Sequence, residues 1–346
     1  MKVLIVGGGL SGICLAHHFL DAQHTVKMIN GFPNESSKIA AGMVNPMTFR
    51  KMVKSWRADE LFPFLNAFYP QLERKVNEKF FYSLPIRRVF STPEEKELWK
   101  KRQKEGEYAD FVSRKEIKAP DYIIEKEGSG RVLGASFIAA KKFVDTNINY
   151  LKNHVDFVEE PFDFENYKAE QKSYKKEAYD CVLFAEGYRL LFNPLFNYLP
   201  LRHTKGEVLT VQSNELEKNE IINRKCFVLP IEKNFFKLGA TFAWNTTDSA
   251  TTDEAKETLL QQYSAISTAA ITVTHQEGGI RPTVADRRPL IGEHPEHKGN
   301  FVFNGMGTKG YMLAPFFSKQ LFDHITKNKE LDETVNIERF FKKFWV

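Results

Sequence analysis

At the N-terminus the apolar positions change period twice. Val3, Leu4, Ile5 and Val6 form an unbroken apolar run, which predicts a strand over 2–6 buried on both faces, as in a parallel sheet. Helical spacing follows over 11–22, and a second strand is predicted over 25–29. Ser36 and Ser37 predict the cap of a short helix at 36–41. The stretch 57–76 has helical periodicity interrupted by Pro63 and Pro70. A strand is predicted over 80–90, then a charged helix over 92–106 with Thr92 as its cap. Residues 130–154 read as strands giving way to a helix from about Ala140. "YDCVLFAEG" (179–187) is another continuous apolar strand ending in a glycine turn. It predicts a third strand of the first sheet, reached after a long excursion.

Beyond residue 200 the stretches 205–212, 226–242 and 269–280 predict strands of an antiparallel sheet, interrupted by a helix at about 253–266. "GGIRPTVADRRPLIG" (278–292) reads as a glycine- and proline-rich turn crowded with three arginines. The stretch 300–325 predicts a strand, a loop punctuated by Gly305, Gly307 and Gly310, and a helix from near Tyr311. There are no internal repeats and no low-complexity linker. The pattern predicts an α/β fold (α+β overall). Its Rossmann-like domain is assembled from 1–78, 140–200 and 281–346, and an antiparallel-sheet domain is inserted at 79–139 and 201–280.

Composition narrows the class. The chain has 346 residues, 42% hydrophobic and 27% charged, which is globular. Its thirty phenylalanines point to aromatic packing. A formal charge of +5 is spread over runs at 50–57, 100–102 and 340–346, read as solvated faces, so no nucleic-acid surface is expected. The terminal "RFFKKFWV" could touch a membrane surface but is too short to anchor alone. No apolar run approaches the ~20 residues of a membrane span, and the N-terminus does not have the regions of a signal peptide. Cys14, Cys181 and Cys226 are odd in number and form no metal-spaced cluster. A cytoplasmic location and no metal are expected.

Gly7, Gly9 and Gly12 carry the first candidate chemistry, in the G-x-G-x-x-G spacing at a strand-to-helix junction. The first permits the turn, the second lets backbone approach a pyrophosphate, and the third lets helix and strand pack closely. The helix start then directs free N–H groups at the phosphates. The pattern expects an acid at the end of the second strand, where this chain has Asn30. His17, His18 and His24 read as packing or surface residues. Arg281 is the candidate anion-binding residue, whereas Arg287 and Arg288 suit an ion pair with Asp286.

In order along the chain, "VGGGLSG", "SSKIAAGMVNP", "FAEG", "LPLRHTKGEVL", "VLPIEKNFFKLGATFAW", "GGIRPTVADRRPLIG" and "NGMGTKGYMLAP" resemble the D-amino-acid-oxidase superfamily of FAD-dependent oxidoreductases. The likeness is nearest to its glycine oxidase and sarcosine oxidase branch and is colinear over nearly the whole chain. The resemblance implies that Gly7, Gly9, Leu10, Ser11 and Gly12 hold the FAD pyrophosphate, with Asn30 at the ribose. It implies that Ser36, Ser37, Ala40, Ala41, Gly42 and Met43 line the flavin and ribityl region, and that Ala185 and Gly187 close the adenosine site. Gly307, Thr308, Lys309, Gly310 and Tyr311 would lie over the flavin's pyrimidine edge, where a helix start suits the charge of reduced flavin. Arg281 would bind the substrate carboxylate, which its planar fork meets bidentately. Lys237 would lie near flavin N5 and assist the reaction with oxygen. The branch has a histidine where this chain has Thr241. The cysteine of covalent relatives is replaced by Gly279, so FAD is expected to bind non-covalently.

The implied reaction oxidises the C–N bond of a small amino acid or N-substituted amino acid, passing a hydride to flavin N5, and the imine then hydrolyses. No general base is evident, and His203 is a possible pocket titrator. Electrons pass to oxygen or another acceptor. Three alternatives stay open: an amine dehydrogenase serving a carrier, an oxidase acting on a carboxymethylaminomethyl-type group of modified tRNA, and a flavin protein without small-molecule turnover. Oligomeric state is not indicated.

Overall fold

The computed structural model describes residues 1–32, 35–244 and 246–344. Trp345 and Val346 of the basic aromatic terminus lie outside the described residues, as do Pro33 and Asn34 of the stretch after the second strand. The chain opens with β1 (Lys2–Val6), α1 (Leu10–Asp21) and β2 (Thr25–Ile29). It continues through α2 (Glu35–Ile39), α3 (Ala58–Val76), β3 (Ile86–Val89), α4 (Pro93–Lys104), β4 (Ser129–Val132) and α5 (Ala140–Lys152). It returns with β5 (Asp156–Val158) and β6 (Cys181–Phe184). A second departure builds β7 (Leu201–Gln212), β8 (Ile221–Asn223), β9 (Phe227–Glu232), β10 (Phe235–Gly239) and β11 (Ala243–Trp244). After α6 (Asp253–Ser264) come β12 (Thr272–Val284), β13 (Leu290–Glu293), β14 (Asn300–Asn304) and α7 (Gly310–Lys327).

Two sheets organise these elements. The first has six strands in the order β5-β2-β1-β6-β14-β13. All its neighbours are parallel except β13 and β14. β5 also joins this sheet, which the apolar pattern did not predict. Its three residues, Asp-Phe-Val, are too few to show a period. The second sheet has eight strands, ordered β11-β7-β10-β9-β8-β3-β4 with β12 also paired to β7. β7 and β12 pair from Leu201–Val284 to Gln212–Thr272, and their length carries the second sheet up to the first.

Local expectations fail where tertiary packing outweighs propensity. α3 runs unbroken for 19 residues through Pro63 and Pro70, although an internal proline costs ~3 kcal/mol or more. It buries Leu61, Phe62, Leu65, Tyr69 and Leu72, each contributing about 1.5–3 kcal/mol. The Tyr69 hydroxyl also donates to the Tyr311 carbonyl of α7 at 2.6 Å. The single strand expected over 80–90 is two, Phe81–Ser83 and β3, which lie in different sheets. Pro85, with no N–H to donate, lies between them. His17 is buried and hydrogen-bonds Asn147 at 2.7 Å, while His18 and His24 pack near Phe322.

Candidate dinucleotide and anion-binding site

The loops after β1, β2 and β6 meet outside the carboxyl ends of the parallel strands, where open α/β sheets bind ligands. A cavity of about 900 Å³ starts there and runs to the face of the second sheet. Gly7, Gly9, Leu10, Ser11 and Asn30 line it, with Ser36, Ser37 and the Ala40–Met43 segment. Ala185, Gly187, Arg281 and Gly307 through Tyr311 line it too. Of the residues singled out in the sequence for roles in the site, Gly12, Lys237 and His203 are not among the lining residues.

The glycine turn has the geometry of an anion cradle. Gly7 adopts φ +106°, a conformation that disfavours side chains. A Cβ on Gly12 would stand 1.8 Å from the Gly7 carbonyl oxygen, so Gly12 acts in packing α1 onto the turn rather than by facing the cavity. Gly9 starts α1 with no side-chain cap, and no acid lies in the first turn. The Gly8 N–H donates to Asn30 Oδ1 at 2.9 Å. Asn30 therefore fastens the glycine turn as well as lining the cavity. Ser36 and Ser37 lie inside α2 rather than capping it. The Ser37 hydroxyl accepts from the Leu10 N–H at 3.0 Å, and the Ser36 hydroxyl donates to the Ile280 carbonyl.

Arg281 lies in β12, not in a turn. β12 continues past Gly278 and Gly279 because both pair with β7, opposite Glu207 and Gly206. The division expected between residues 280 and 281 falls inside this strand. The Arg281 guanidinium lies over Gly206, where a Cβ would stand 1.8 Å from Nη2. Its Nη1 donates to the Thr241 carbonyl at 3.2 Å and to the Lys205 carbonyl at 3.4 Å, and the group stacks 4.7 Å from the Phe242 ring. Among the described residues no carboxylate pairs with it. Burial lowers its pKa to about 10, so it stays charged at neutral pH. Asp286 pairs with Arg339 at 3.0 Å rather than with Arg287 or Arg288, and Arg288 stacks over Trp56 at 4.0 Å.

Gly206 yields a separate prediction. In Gly206→Ala the new methyl meets the movable end of a flexible side chain rather than backbone. The guanidinium is expected to be displaced with little loss of fold stability. We expect binding of a carboxylate ligand to weaken about tenfold or more, while the urea midpoint stays within experimental error of the parent. A midpoint that collapses together with binding would refute this reading.

A second cationic group lies at the start of α7. Gly307–Lys309 forms one tight turn leading into the helix, with no side-chain cap and no acid in the first turn. Lys309 Nζ donates to Ser55 Oγ at 2.8 Å, and burial followed by Arg287 and Arg288 lowers its pKa to about 8. Lys237, in β10, turns its ammonium to the Ile39 carbonyl at 2.7 Å. It does not itself line the cavity, although Ile39 and Ala40, whose carbonyls it meets, do. His203 lies in β7 opposite Pro282 and does not line the cavity.

Two further features of the site carry a signal in the sequence, in "KGE" and in "FAEG". Lys205 and Glu207 form a buried pair at 3.2 Å. Glu207 also accepts from the Thr252 N–H and from Gln276 Nε2, both at 2.8 Å, which fastens the segment leading to α6 behind Arg281. Glu186, the acid of "FAEG", lines the cavity and accepts from Asn193 Nδ2 at 2.7 Å. Loss of water raises its pKa to about 7, against the opposing Asn193 bond and Arg189.

The raised Glu186 pKa makes stability depend on pH. Between its unfolded value of 4.5 and about 7, the folded protein holds a proton that the unfolded chain has released. Stability therefore falls as pH rises through that window and stays lower above it. We expect Glu186→Gln to stabilise the cofactor-free protein at pH 8 by on the order of 2–3 kcal/mol and far less at pH 5. Urea denaturation at both values checks this, and equal shifts at the two would sink it.

The family model described as "FAD dependent oxidoreductase" matches residues 2–323. Among curated proteins, the glycine oxidase of Geobacillus kaustophilus is 26% identical over 129 residues, 36% of this chain and 34% of that enzyme. The aligned stretch thus spans about a third of that relative's length. The crystal structure of glycine oxidase from Geobacillus kaustophilus superposes with a TM-score of 0.80 at 20% identity, covering 98% of both chains. L-proline dehydrogenase from P. horikoshii gives 0.80 at 15% identity, covering 99% of this chain and 98% of that one. At these identities the two superpositions establish the fold alone.

Proposed function

The chain belongs to the FAD dependent oxidoreductase family, and from that premise we propose that it oxidises the C–N bond of a small amino acid or N-substituted amino acid. The observation that carries this reading is Arg281, a half-buried cation without a carboxylate partner among the described residues, facing the cavity that begins at the glycine turn.

The residues present fit FAD. The uncapped start of α1 and the close approach allowed by Gly7 and Gly9 suit a pyrophosphate. Asn30, its Oδ1 engaged by Gly8, would offer its Nδ2 to a ribose oxygen. Gly279 and the absence of a cysteine there favour non-covalent binding, which acid precipitation with release of free flavin tests. When bound, FAD supplies the acceptor for a hydride from the carbon bearing nitrogen.

The protein's part is positioning and electrostatics. Arg281 binds the carboxylate through its fork and thereby fixes the distance of the reacting carbon. Its carbonyl partners on Lys205 and Thr241 and its stacking on Phe242 hold the guanidinium in place. The start of α7 and Lys309 add positive potential to the same cavity. No base is assigned, and the amine binds in its neutral form. Lys237 acts by holding the turn at Ile39 rather than by touching substrate. Electrons leave to oxygen or to a carrier, and oxygen consumption distinguishes the two.

The test is the visible spectrum of the purified holoenzyme, recorded while a pool of amino and N-methylamino acids is added without oxygen. Bleaching of the flavin bands supports the proposal, and splitting the pool identifies the substrate. A bound flavin that no member bleaches removes small amino acids from consideration.

A further inference from the structure

The cavity floor on the substrate side is the face of the second sheet, formed by Gly206, Val208, Phe227 and Gly239. Val208 and Phe227 both pair with Gly239, so these residues lie in one row across β7, β10 and β9. Arg281 lies on β12, which flanks this row, opposite Thr204 and four residues along from Val208, and its guanidinium reaches back over Gly206. The opposite flank is the tip of the β8–β9 hairpin, closed by the bond from the Arg224 N–H to the Cys226 carbonyl. Lys225, at that tip, lines the cavity. Three strand spacings separate the flanks, ~14 Å between backbones. The Arg281 guanidinium over Gly206 shortens this on one side, and the four-carbon stem of Lys225 can shorten it on the other, to the length of a small molecule. Glycine at 206 and 239 leaves the floor between them open.

Lys225 has no structural task that would explain it. It is exposed, and no hydrogen bond or ion pair among the described residues uses its ammonium. Its neighbour Arg224 is committed to the Ala265 carbonyl at 2.9 Å. The nearby Arg88 is committed to Glu95 at 2.9 Å. Thus the sheet face of the cavity presents two cations, one half-buried and one wet, and no acid of the second sheet lines the cavity with them.

We propose that the substrate carries a second anionic group, opposite the carboxylate held by Arg281, and that Lys225 recognises it. The substrate class is an amino dicarboxylate, with the second carboxylate on the side chain or on the nitrogen substituent. This rests on the reading of Arg281 given above.

The experiment uses the FAD-loaded enzyme and two measurements. In the first, anaerobic flavin reduction is followed with glycine, aspartate and N-carboxymethylglycine. The two dicarboxylates distinguish a side-chain from a nitrogen-borne carboxylate. We expect at least one of them to exceed glycine about tenfold in reduction efficiency, with the preference falling as salt rises. In Lys225→Gln that preference falls towards unity through substrate affinity rather than the limiting rate, and Lys225→Arg restores it. In the second, spectral perturbation of bound flavin compares glutarate with acetate. This reads Lys225 whether or not anything is oxidised. A parent enzyme that favours glutarate and a Lys225→Gln variant that does not support the proposal even if no amino acid bleaches the flavin; such silence counts only against the oxidase reading. Equal preference in parent and variant overturns it, as does a parent that favours the monocarboxylates in both measurements.

Discussion

Arg281→Met is expected to lower kcat/KM for the carboxylate substrate by about three orders of magnitude while the protein keeps its flavin. Methionine fills much of the same volume, so the change removes charge and donors with limited loss of packing. The substrate carboxylate would then enter a water-poor pocket without a partner, a penalty of about 2–5 kcal/mol. Part of it falls on KM and part on kcat, because the guanidinium both attracts the ligand and sets its angle. A lysine in place of the arginine would recover attraction but not the two-point fork, so Arg281→Lys should restore KM more than kcat. Steady-state kinetics with the substrate found by flavin bleaching provides the check. Unchanged kinetics in Arg281→Met would mean that the carboxylate is held elsewhere.

Gly12→Ala should produce the opposite pattern, a protein that fails at the cofactor and not at the substrate. Its methyl would stand 1.8 Å from the Gly7 carbonyl oxygen and 3.0 Å from the Gly7 carbonyl carbon. Both are backbone atoms of the turn, so neither can swing aside as the Arg281 side chain can from Gly206. Either α1 lifts from the turn or the turn opens. Overpacking of this kind costs about 3 kcal/mol, and it moves the N–H groups intended for the pyrophosphate. We expect FAD affinity to fall about a hundredfold or more, measured by quenching of flavin fluorescence, together with a lower urea midpoint. Binding equal to the parent would show that the turn tolerates the shift and that the third glycine is dispensable.

The parts of the fold legible in the sequence were those with a local physical cause. β1, α1 and β2 follow from a change of hydrophobic period at a glycine turn, and α4 follows from Thr92, whose hydroxyl accepts from the Glu95 N–H at 3.3 Å. Most of the residues expected at the cavity do line it, because glycine loops at strand ends are set by their neighbours in sequence. The misreadings had distant causes. "GGIRP" reads as a turn, but five consecutive partners on β7, His203 through Glu207, hold it extended. Ser36 and Ser37 read as caps, but their hydroxyls serve α1 and β12. Asp286 reads as a partner for its neighbouring arginines, but Arg339 reaches it from 53 positions away. The partners of Lys237, the carbonyls of Ile39 and Ala40, were likewise illegible, because they come together with β10 only in three dimensions.

The bond between Gly8 and Asn30 has a consequence for how the protein is loaded. A glycine-rich segment is the part of a chain with most conformational freedom to lose. Here its middle N–H is already held from the end of β2, at 2.9 Å, so the segment's shape does not depend on the ligand. Cofactor capture can then proceed as a docking event onto a ready surface, without an ordering step whose entropy would be subtracted from the affinity. The empty protein should protect the Gly8 amide from hydrogen exchange nearly as well as the loaded one, leaving the apoprotein competent to be filled late in its life as easily as at its birth.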